Sequence, residues 1–144
     1  TRQWRYQLFQ VHSQKEDNYI GEEGGTDFSE NTSWTEIKSL NLYRNYFRYN
    51  HAEIWRKNAN WSNLREINIA GSSLGSEGAA ELRKIAWTHL ETLDLSNNYL
   101  GARGATELSK NTTWVNLHTL KLQENRINAG RSAEFGKNTS WINL

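Results

Sequence analysis

The sequence predicts an α/β fold: a right-handed solenoid of about five strand–helix repeats, with a parallel sheet on its concave side and helices on its convex side. Tryptophans recur at spacings of 27, 26, 27 and 27 residues, at Trp34, Trp61, Trp87, Trp114 and Trp141. Within each period, a segment with strand periodicity precedes one with helical periodicity. Such a repeat indicates a solenoid, because one strand–helix unit cannot bury its apolar face alone and stacking creates the core.

The strand of each repeat is predicted from the pattern L-x-x-L-x-L-x-x-N-x-L. The residues at its apolar and asparagine positions are Ile37/Leu40/Leu42/Asn45/Phe47, Leu64/Ile67/Ile69/Ser72/Leu74, Leu90/Leu93/Leu95/Asn98/Leu100 and Leu117/Leu120/Leu122/Asn125/Ile127. The L-x-L core alternates as a strand does, so its leucines point to one face of the sheet and the intervening residues to the other. The asparagine that follows is suited to satisfying backbone groups of its own turn.

The helix of each repeat is predicted from small residues followed by a leucine one turn later. In LGARGATELSKN (100–111) a glycine, an alanine and a leucine share one face, and LGSEGAAELRKI (74–85) has the same arrangement. Glycine on that face lets the helix approach the strands. In the second repeat, Arg48 and His51 replace the two glycines and Trp55 replaces the leucine. The final complete repeat has Arg131 and Ser132 in place of Gly-Ala, and we expect its helix to pack less closely.

The repeats are predicted to span residues 18–144 in units of 26–27 residues, with the last one truncated. Residues 18–34 align without gaps to residues 98–114, so a repeat precedes the first clear strand. Residues 1–17 are then a degenerate N-terminal repeat or a cap. Because the chain starts at Thr1 and ends inside the recurring phrase, as NTSWINL, we expect it to be part of a longer protein.

The pattern LxxLxLxxNxLGxxGAxxL resembles the ribonuclease-inhibitor type of leucine-rich repeat, over about residues 18–144. The resemblance implies a horseshoe arc that serves protein–protein binding, as in ribonuclease inhibitor, Ran GTPase-activating protein and the sensor ends of NOD-like receptors. The element NTxW before each strand is not general to that family, and it looks like a lineage-specific variant spread by duplication.

Composition argues against several classes of function. Lys plus Arg number 17 and Asp plus Glu 16, a net charge of +1, so binding to nucleic acid through net charge is not predicted. No apolar run approaches the roughly 20 residues that cross a bilayer, and we expect no membrane insertion. The chain has no cysteine, which leaves no disulfide and no thiolate metal site. Together with the lack of a signal-like segment, this favours the cytoplasm.

Sequence motifs for catalysis are not found. There is no HExxH, no GxSxG and no phosphate loop, so we predict no enzyme, no catalytic residue and no cofactor. One metal hypothesis arises from His89, Glu91 and His118, because two imidazoles and a carboxylate would suit zinc. Nothing in the sequence fixes the orientation of these side chains, and we predict no metal site.

The polar face of the sheet is the predicted partner-binding site. The repeats differ most between their leucines, as expected of a fixed scaffold with a changeable surface. The residues predicted to contact a partner there are Tyr43, Arg65, Glu66, Asn68, Asp94, His118, Lys121 and Gln123. The alternative is a solvated face whose charges pair across strands, Arg65 with Glu91 and Asp94 with Lys121.

A second set of equivalent residues, which we name the rim, occupies the position between the turn asparagine and the next apolar residue of each repeat. Its predicted partner contacts are Tyr19, Tyr46, Tyr99 and Arg126. Exposed tyrosines are good anchors for a partner protein. The alternative is that they stack on their neighbours and shield the edge of the core.

The recurring tryptophans and the glycosylation sequons both receive a structural interpretation. Each tryptophan precedes its strand by three residues, so we predict that the column fills the core between repeats and is not a ligand platform. Asn-x-Ser/Thr sequons occur at Asn31, Asn60, Asn111 and Asn138. Duplication of one repeat position explains three of them, and we expect no glycans.

These observations favour a recognition module that binds another protein through the concave sheet face. Two alternatives stay open. One is a GTPase-regulating protein similar to Ran GTPase-activating protein. The other is a structural protein whose units associate end to end through an open edge at Trp141–Leu144.

Overall fold

A computed structural model describes residues 37–57, 61–128, 133 and 135–144. In this part of the chain, strands and helices alternate: β1 (Ser39–Asn41), α1 (Tyr49–Lys57), β2 (Glu66–Asn68), α2 (Gly75–Leu82), β3 (Thr92–Asp94), α3 (Gly101–Leu108) and β4 (Thr119–Lys121), followed by a 3-10 helix (Phe135–Lys137). The predicted cap at 1–17, together with Tyr19 and Trp34, lies outside the described residues.

The strands β1 to β4 form one parallel sheet in chain order. Their register places Leu40, Ile67, Leu93 and Leu120 side by side. In β1 the central leucine is buried while its two neighbours are exposed. This alternation follows from the strand geometry, in which successive side chains point to opposite faces. The prediction of a parallel sheet with intervening helices is confirmed for these four strands.

The helices bury the face that the small residues and the leucine share. α3 buries Gly104, Ala105 and Leu108, and α2 buries the equivalent three residues. A Cβ at Gly104 would lie 2.8 Å from the Leu100 Cβ and 3.5 Å from the Ala79 Cβ. Because real Cβ atoms do not approach at 2.8 Å, the turn from Leu100 into α3 requires glycine here, whereas the distance to Ala79 of α2 is an ordinary contact. The strand leucines and these helix faces belong to one apolar core.

The start of α1 differs from that of the other helices, because His51 stands where they have glycine. The His51 ring is buried and lies edge-on against Phe47, with 5.3 Å between ring centroids. Its Nδ1 accepts the backbone N–H of Arg48 at 3.2 Å, which caps the first turn. Trp55 is buried in the position of the leucine, edge-on to Phe47 at 5.1 Å. His51 and Trp55, which replace a glycine and a leucine, are therefore both part of the packed interior. Arg131 and Ser132, where looser packing is predicted, lie outside the described residues.

The tryptophan column is buried, as predicted: Trp61, Trp87, Trp114 and Trp141 are at most 5% exposed. Trp114 lies between Trp87 and Trp141, at centroid distances of 6.3 and 6.0 Å and with ring planes inclined by 21° and 5°. Its indole N–H donates to the Ile85 carbonyl at 2.9 Å. The column therefore fills the space between layers, and it presents no ring face for a ligand.

Buried asparagines join neighbouring turns. The Asn98 Oδ1 accepts the backbone N–H groups of Ser72 and Leu74, at 3.0 and 3.4 Å, from the preceding layer. Its Nδ2 donates to the Ile69 carbonyl at 2.9 Å and also to two carbonyls of its own turn. Asn125 makes the same set of bonds one layer further on. The predicted role within its own turn is confirmed, and the bonds between layers extend it.

Ser72 interrupts this ladder of asparagines. Its hydroxyl is buried and has no hydrogen-bond partner in the described part of the chain. We expect Ser72→Asn to raise the free energy of unfolding by about 1–2 kcal/mol. By equivalence with Asn98, the new amide would accept the N–H groups of Asn45 and Phe47 and donate to the Leu42 carbonyl. Urea denaturation followed by circular dichroism measures the change.

The control for this prediction is Ser62→Asn, the same substitution at an exposed position. It is expected to change the free energy of unfolding by less than about 0.5 kcal/mol. If Ser72→Asn destabilised the protein while Ser62→Asn did not, the ladder between the turns after β1 and β2 would have no room for the amide.

Ion pairs join the solvent side of the helices. Glu107 contacts Lys110 at 2.7 Å, three residues along the chain, and Arg83 of the preceding layer at 2.9 Å. Glu81 makes the same two kinds of contact one layer earlier. The hydrogen bond from Lys110 holds the pKa of the Glu107 carboxyl below its usual range. These recurring glutamates therefore link neighbouring layers, and they neutralise several of the Lys and Arg side chains on the helix side.

Candidate functional site

The sheet face is the side of the sheet opposite the buried leucines. In register across three strands, it presents Asn68, Asp94 and Lys121. Tyr43 and Gln123, which follow the first and last of the described strands, are exposed. Side chains of very different chemistry thus stand beside one another on a backbone whose inward residues are all Leu or Ile.

Charges on this face pair across strands. The Arg65 guanidinium contacts the Glu91 carboxylate, and the other oxygen of Glu91 lies 3.8 Å from His118 Nε2. The Lys121 ammonium lies 3.5 Å from Asp94 Oδ2. Both predicted pairs are therefore confirmed. Each exposed pair of this kind contributes only about 0.2–1 kcal/mol to the free energy of unfolding. Their main effect is therefore on which charges the sheet face presents to solvent.

Hydrogen bonds from two serine hydroxyls complete the sheet face. The Ser39 hydroxyl donates to Glu66 Oε2 at 3.3 Å, and the Ser96 hydroxyl donates to Gln123 Oε1 at 2.8 Å. Among the described residues, Glu66 has no cationic partner, unlike Glu91. Its exposed carboxylate is therefore available for a positive group of a partner.

Asn68 and Asp94 have a second, local role that sequence reasoning missed. The Asn68 Oδ1 accepts the N–H of Ala70 at 2.9 Å, and the Asp94 Oδ1 accepts the N–H of Ser96 at 3.0 Å. Such turns, in which an Asn or Asp bonds the backbone two residues on, are common where strands end. The spacing of an Asn or Asp two residues before a small residue was the available signal. These two side chains are therefore fixed by the fold before any partner binds.

The rim residues Tyr46, Tyr99 and Arg126 have a left-handed backbone, each with φ of 56°. Non-glycine residues adopt this conformation at a cost of about 1–2 kcal/mol. Tyr46 and Tyr99 are 47% and 54% exposed, so burial of their rings offsets only part of the cost. The Arg126 guanidinium carbon lies 5.5 Å from the centroid of the Tyr99 ring, which holds that ring in place. Tyr19 lies outside the described residues.

A further cluster at the N-terminal end of α1 was not predicted. We name it the Tyr/Arg patch and define it as Tyr43, Arg44, Tyr46, Arg48 and Tyr49, all of them exposed. The Arg44 guanidinium carbon lies 5.2 Å from the centroid of the Tyr43 ring. Alternation of tyrosine with arginine in YRNYFRY (43–49) was the signal that could have revealed it.

The three residues of the zinc hypothesis do not converge. The Nδ1 of His89 lies 3.0 Å from the Ser62 carbonyl, whereas His118 is turned toward Glu91. Within the described ranges, no group of three or more His, Cys, Asp or Glu side chains could hold a metal ion.

Two sequon asparagines are part of the scaffold. Asn111 is buried, and its Nδ2 donates to the Arg83 carbonyl at 2.8 Å. The Nδ2 of Asn138 donates to the Asn111 carbonyl at 2.6 Å. The nitrogen that would carry a glycan is thus engaged between layers, which explains these asparagines without glycosylation. Asn31 and Asn60 lie outside the described residues.

Comparison with known proteins agrees with this architecture. A family model described as Leucine Rich repeat matches residues 88–109, which contain β3 and α3. No curated protein matches the chain. In the part of the chain that the structure describes, no helix is long and apolar enough to cross a membrane. The matched strand–helix unit, within a parallel sheet of four such strands, supports a leucine-rich repeat.

Proposed function

We propose that this chain is a recognition module that binds another protein through the sheet face and the adjacent rim. Leucine-rich-repeat domains commonly mediate protein–protein interaction. One observation carries the proposal: Asn68, Asp94 and Lys121 differ in chemistry, while the residues beside them in the chain are uniformly apolar and are buried or partly buried. A ladder that fixes the backbone presents such side chains without a large ordering cost on binding.

Both sides of the described layers pair charges between layers, but the sheet side also holds a carboxylate without a cation and an exposed tyrosine. On the helix side, Glu81 and Glu107 each connect two cations of successive layers. On the sheet side, Glu66 has no cationic partner among the described residues, and the Tyr43 ring is exposed. Exposed tyrosine and unneutralised charge are what a protein interface uses for anchoring and specificity, which favours the sheet side.

The test replaces Tyr43, Glu66, Lys121 and Gln123 together with alanine. Asn68 and Asp94 are left unchanged, because their side chains hold the backbone of the turns. A protein captured by the wild-type chain and identified by mass spectrometry is titrated against both forms by calorimetry. We expect at least about tenfold weaker binding with little loss of stability, as for interface residues outside the fold's core.

The matched control replaces Glu53, Lys57, Glu77 and Arg103 with alanine. These residues form two exposed ion pairs on the helix side, and their removal also leaves net charge unchanged. The control is expected to bind the captured protein as the wild type does. Normal binding by the sheet-face variant, with loss of binding by the helix-side variant, would contradict the proposal.

Several finer features stay predictions: the ribonuclease-inhibitor subtype, the repeat array over residues 18–144, GTPase regulation, and end-to-end association. Light scattering over a range of protein concentrations addresses the last of these, because a concentration-independent monomer excludes assembly.

A further inference from the structure

We infer that the Tyr/Arg patch binds an acidic segment of the partner protein. The inference rests on the proposed function, since it names the chemistry of the partner at one end of the same surface. Tyrosine and arginine are among the residue types most enriched in binding hot spots. Here three tyrosines, each roughly half exposed, alternate with two exposed arginines within residues 43–49.

The turn between β1 and α1 presents two residues of the patch at the surface. Arg44 and Tyr46 have left-handed φ values of 53° and 56°, and the aligned residues of the next three turns, from Gly71 to Arg126, are left-handed as well. This backbone is therefore a property of the repeat, and it leaves the side chains of Arg44 and Tyr46 exposed.

The position of Arg48 indicates that folding alone does not explain this residue. It directly precedes the first residue of α1, and the first turn of that helix contains no acidic residue. A cation at the positive end of a helix dipole is unfavourable. The Arg48 guanidinium forms no ion pair in the described part of the chain, and when the repeats are aligned the residues equivalent to Arg48 are Gly75 and Gly101. Arg48 thus carries a positive charge to the surface at a cost to the helix.

The charge of the patch indicates that its binding partner is acidic. Residues 43–50 contain no Asp or Glu. Elsewhere on the described surface, Arg65, Arg83 and Lys121 each contact a carboxylate. The positive charge of Arg48 lacks such a partner, so a carboxylate of a bound segment would form an ion pair with it. The exposed tyrosine rings would then pack against apolar side chains next to that carboxylate.

A protein segment fits this surface better than a polyanion does. The patch has two arginines, whereas binding to a nucleic acid through phosphates uses many neutralised charges. The remaining patch residues are tyrosines, whose rings and hydroxyls suit the mixed apolar and polar chemistry of a peptide. Membranes and nucleic acids are therefore treated as competing outcomes of the test.

The test uses the whole 144-residue chain and poly-L-glutamate of about 20 residues as the acidic probe, a length that matches a peptide-sized interface. Binding is followed by nuclear magnetic resonance of the tyrosine rings at 50 and 300 mM salt. We expect the ring signals of Tyr43, Tyr46 and Tyr49 to shift with the probe, and affinity to fall at least fivefold at the higher salt. Poly-L-lysine is expected to leave these signals unchanged.

The decisive variant is Arg48→Glu, with Arg103→Glu as its matched control on the helix side, where the Arg103 side chain is 76% exposed. Arg48→Glu is expected to lower the affinity for poly-L-glutamate at least tenfold. It is not expected to lower the midpoint of urea denaturation, because a carboxylate is favourable at a helix N-terminus. Tyr49→Ser is expected to lower the affinity for poly-L-glutamate several-fold. Arg103→Glu is expected to change affinity by less than twofold.

Three results would overturn the inference: no binding of poly-L-glutamate at 50 mM salt, equal weakening by Arg48→Glu and Arg103→Glu, or tighter binding to phosphatidylserine vesicles or a 20-base-pair DNA duplex. The proposed function fails separately. If Arg48→Glu leaves the probe unaffected while the fourfold sheet-face variant still loses the captured protein, only the inference falls. If the sheet-face variant binds that protein normally, the proposed function falls.

Discussion

Trp114→Ala is expected to lower the free energy of unfolding by about 3–5 kcal/mol, the range for removal of a fully buried large aromatic side chain. Trp114 is completely buried between the rings of Trp87 and Trp141. The substitution opens a cavity between two layers and leaves the Ile85 carbonyl without its indole donor. Because each layer is held mainly by its neighbours, the loss is expected to affect the contacts on both sides.

The measurement is urea denaturation followed by circular dichroism, in which the stacked indoles also give a near-ultraviolet signal that the variant should lose. Tyr99→Ala is the control, an exposed aromatic residue whose removal is expected to cost less than about 0.5 kcal/mol. If the alanine variant is unfolded at 25 °C, Trp114→Phe retains a ring and tests the same site more mildly. A cost below about 1 kcal/mol for Trp114→Ala would show that the column is not a core element.

Asn98→Ala is expected to lower the free energy of unfolding by about 2–4 kcal/mol, because several buried backbone groups lose their partner together. The Asn98 amide is buried and accepts the N–H groups of Ser72 and Leu74 from the preceding layer. It also donates to the Ile69 carbonyl and to carbonyls of its own turn. Alanine provides neither acceptor nor donor, and the site is closed to water.

Two further variants separate hydrogen bonding from volume. Asn98→Asp keeps the shape and the acceptor but loses the donors and places a carboxylate among carbonyl oxygens, so at pH 7 it is expected to be at least as destabilising as alanine. Asn116→Ala removes one exposed hydrogen bond, to the Thr88 carbonyl, and is expected to cost about 0.5 kcal/mol. Equal costs for Asn98→Ala and Asn116→Ala would refute the role of the ladder.

Much of the candidate site was visible in the sequence as columns of residues. The pairs Arg65–Glu91 and Asp94–Lys121 follow from register alone, because a conserved spacing of leucines within the chain aligns the residues between them. The fixed roles of Asn68 and Asp94 in their turns, and the Tyr/Arg patch, were missed. Both depend on backbone conformation after the strands, which hydrophobic periodicity does not describe.

The sequence by itself determined the alternation of strand and helix, the parallel order of β1 to β4 and the burial of the tryptophans. It did so because units with the same apolar pattern bury their apolar residues by stacking on one another, so the same positions are buried in each unit. Only the tertiary structure decided what the polar residues do. The amides of Asn98 and Asn125 bond residues up to 30 positions away, and the left-handed turns place tyrosines and arginines at the surface. Such roles arise from contacts between layers, which no single repeat contains.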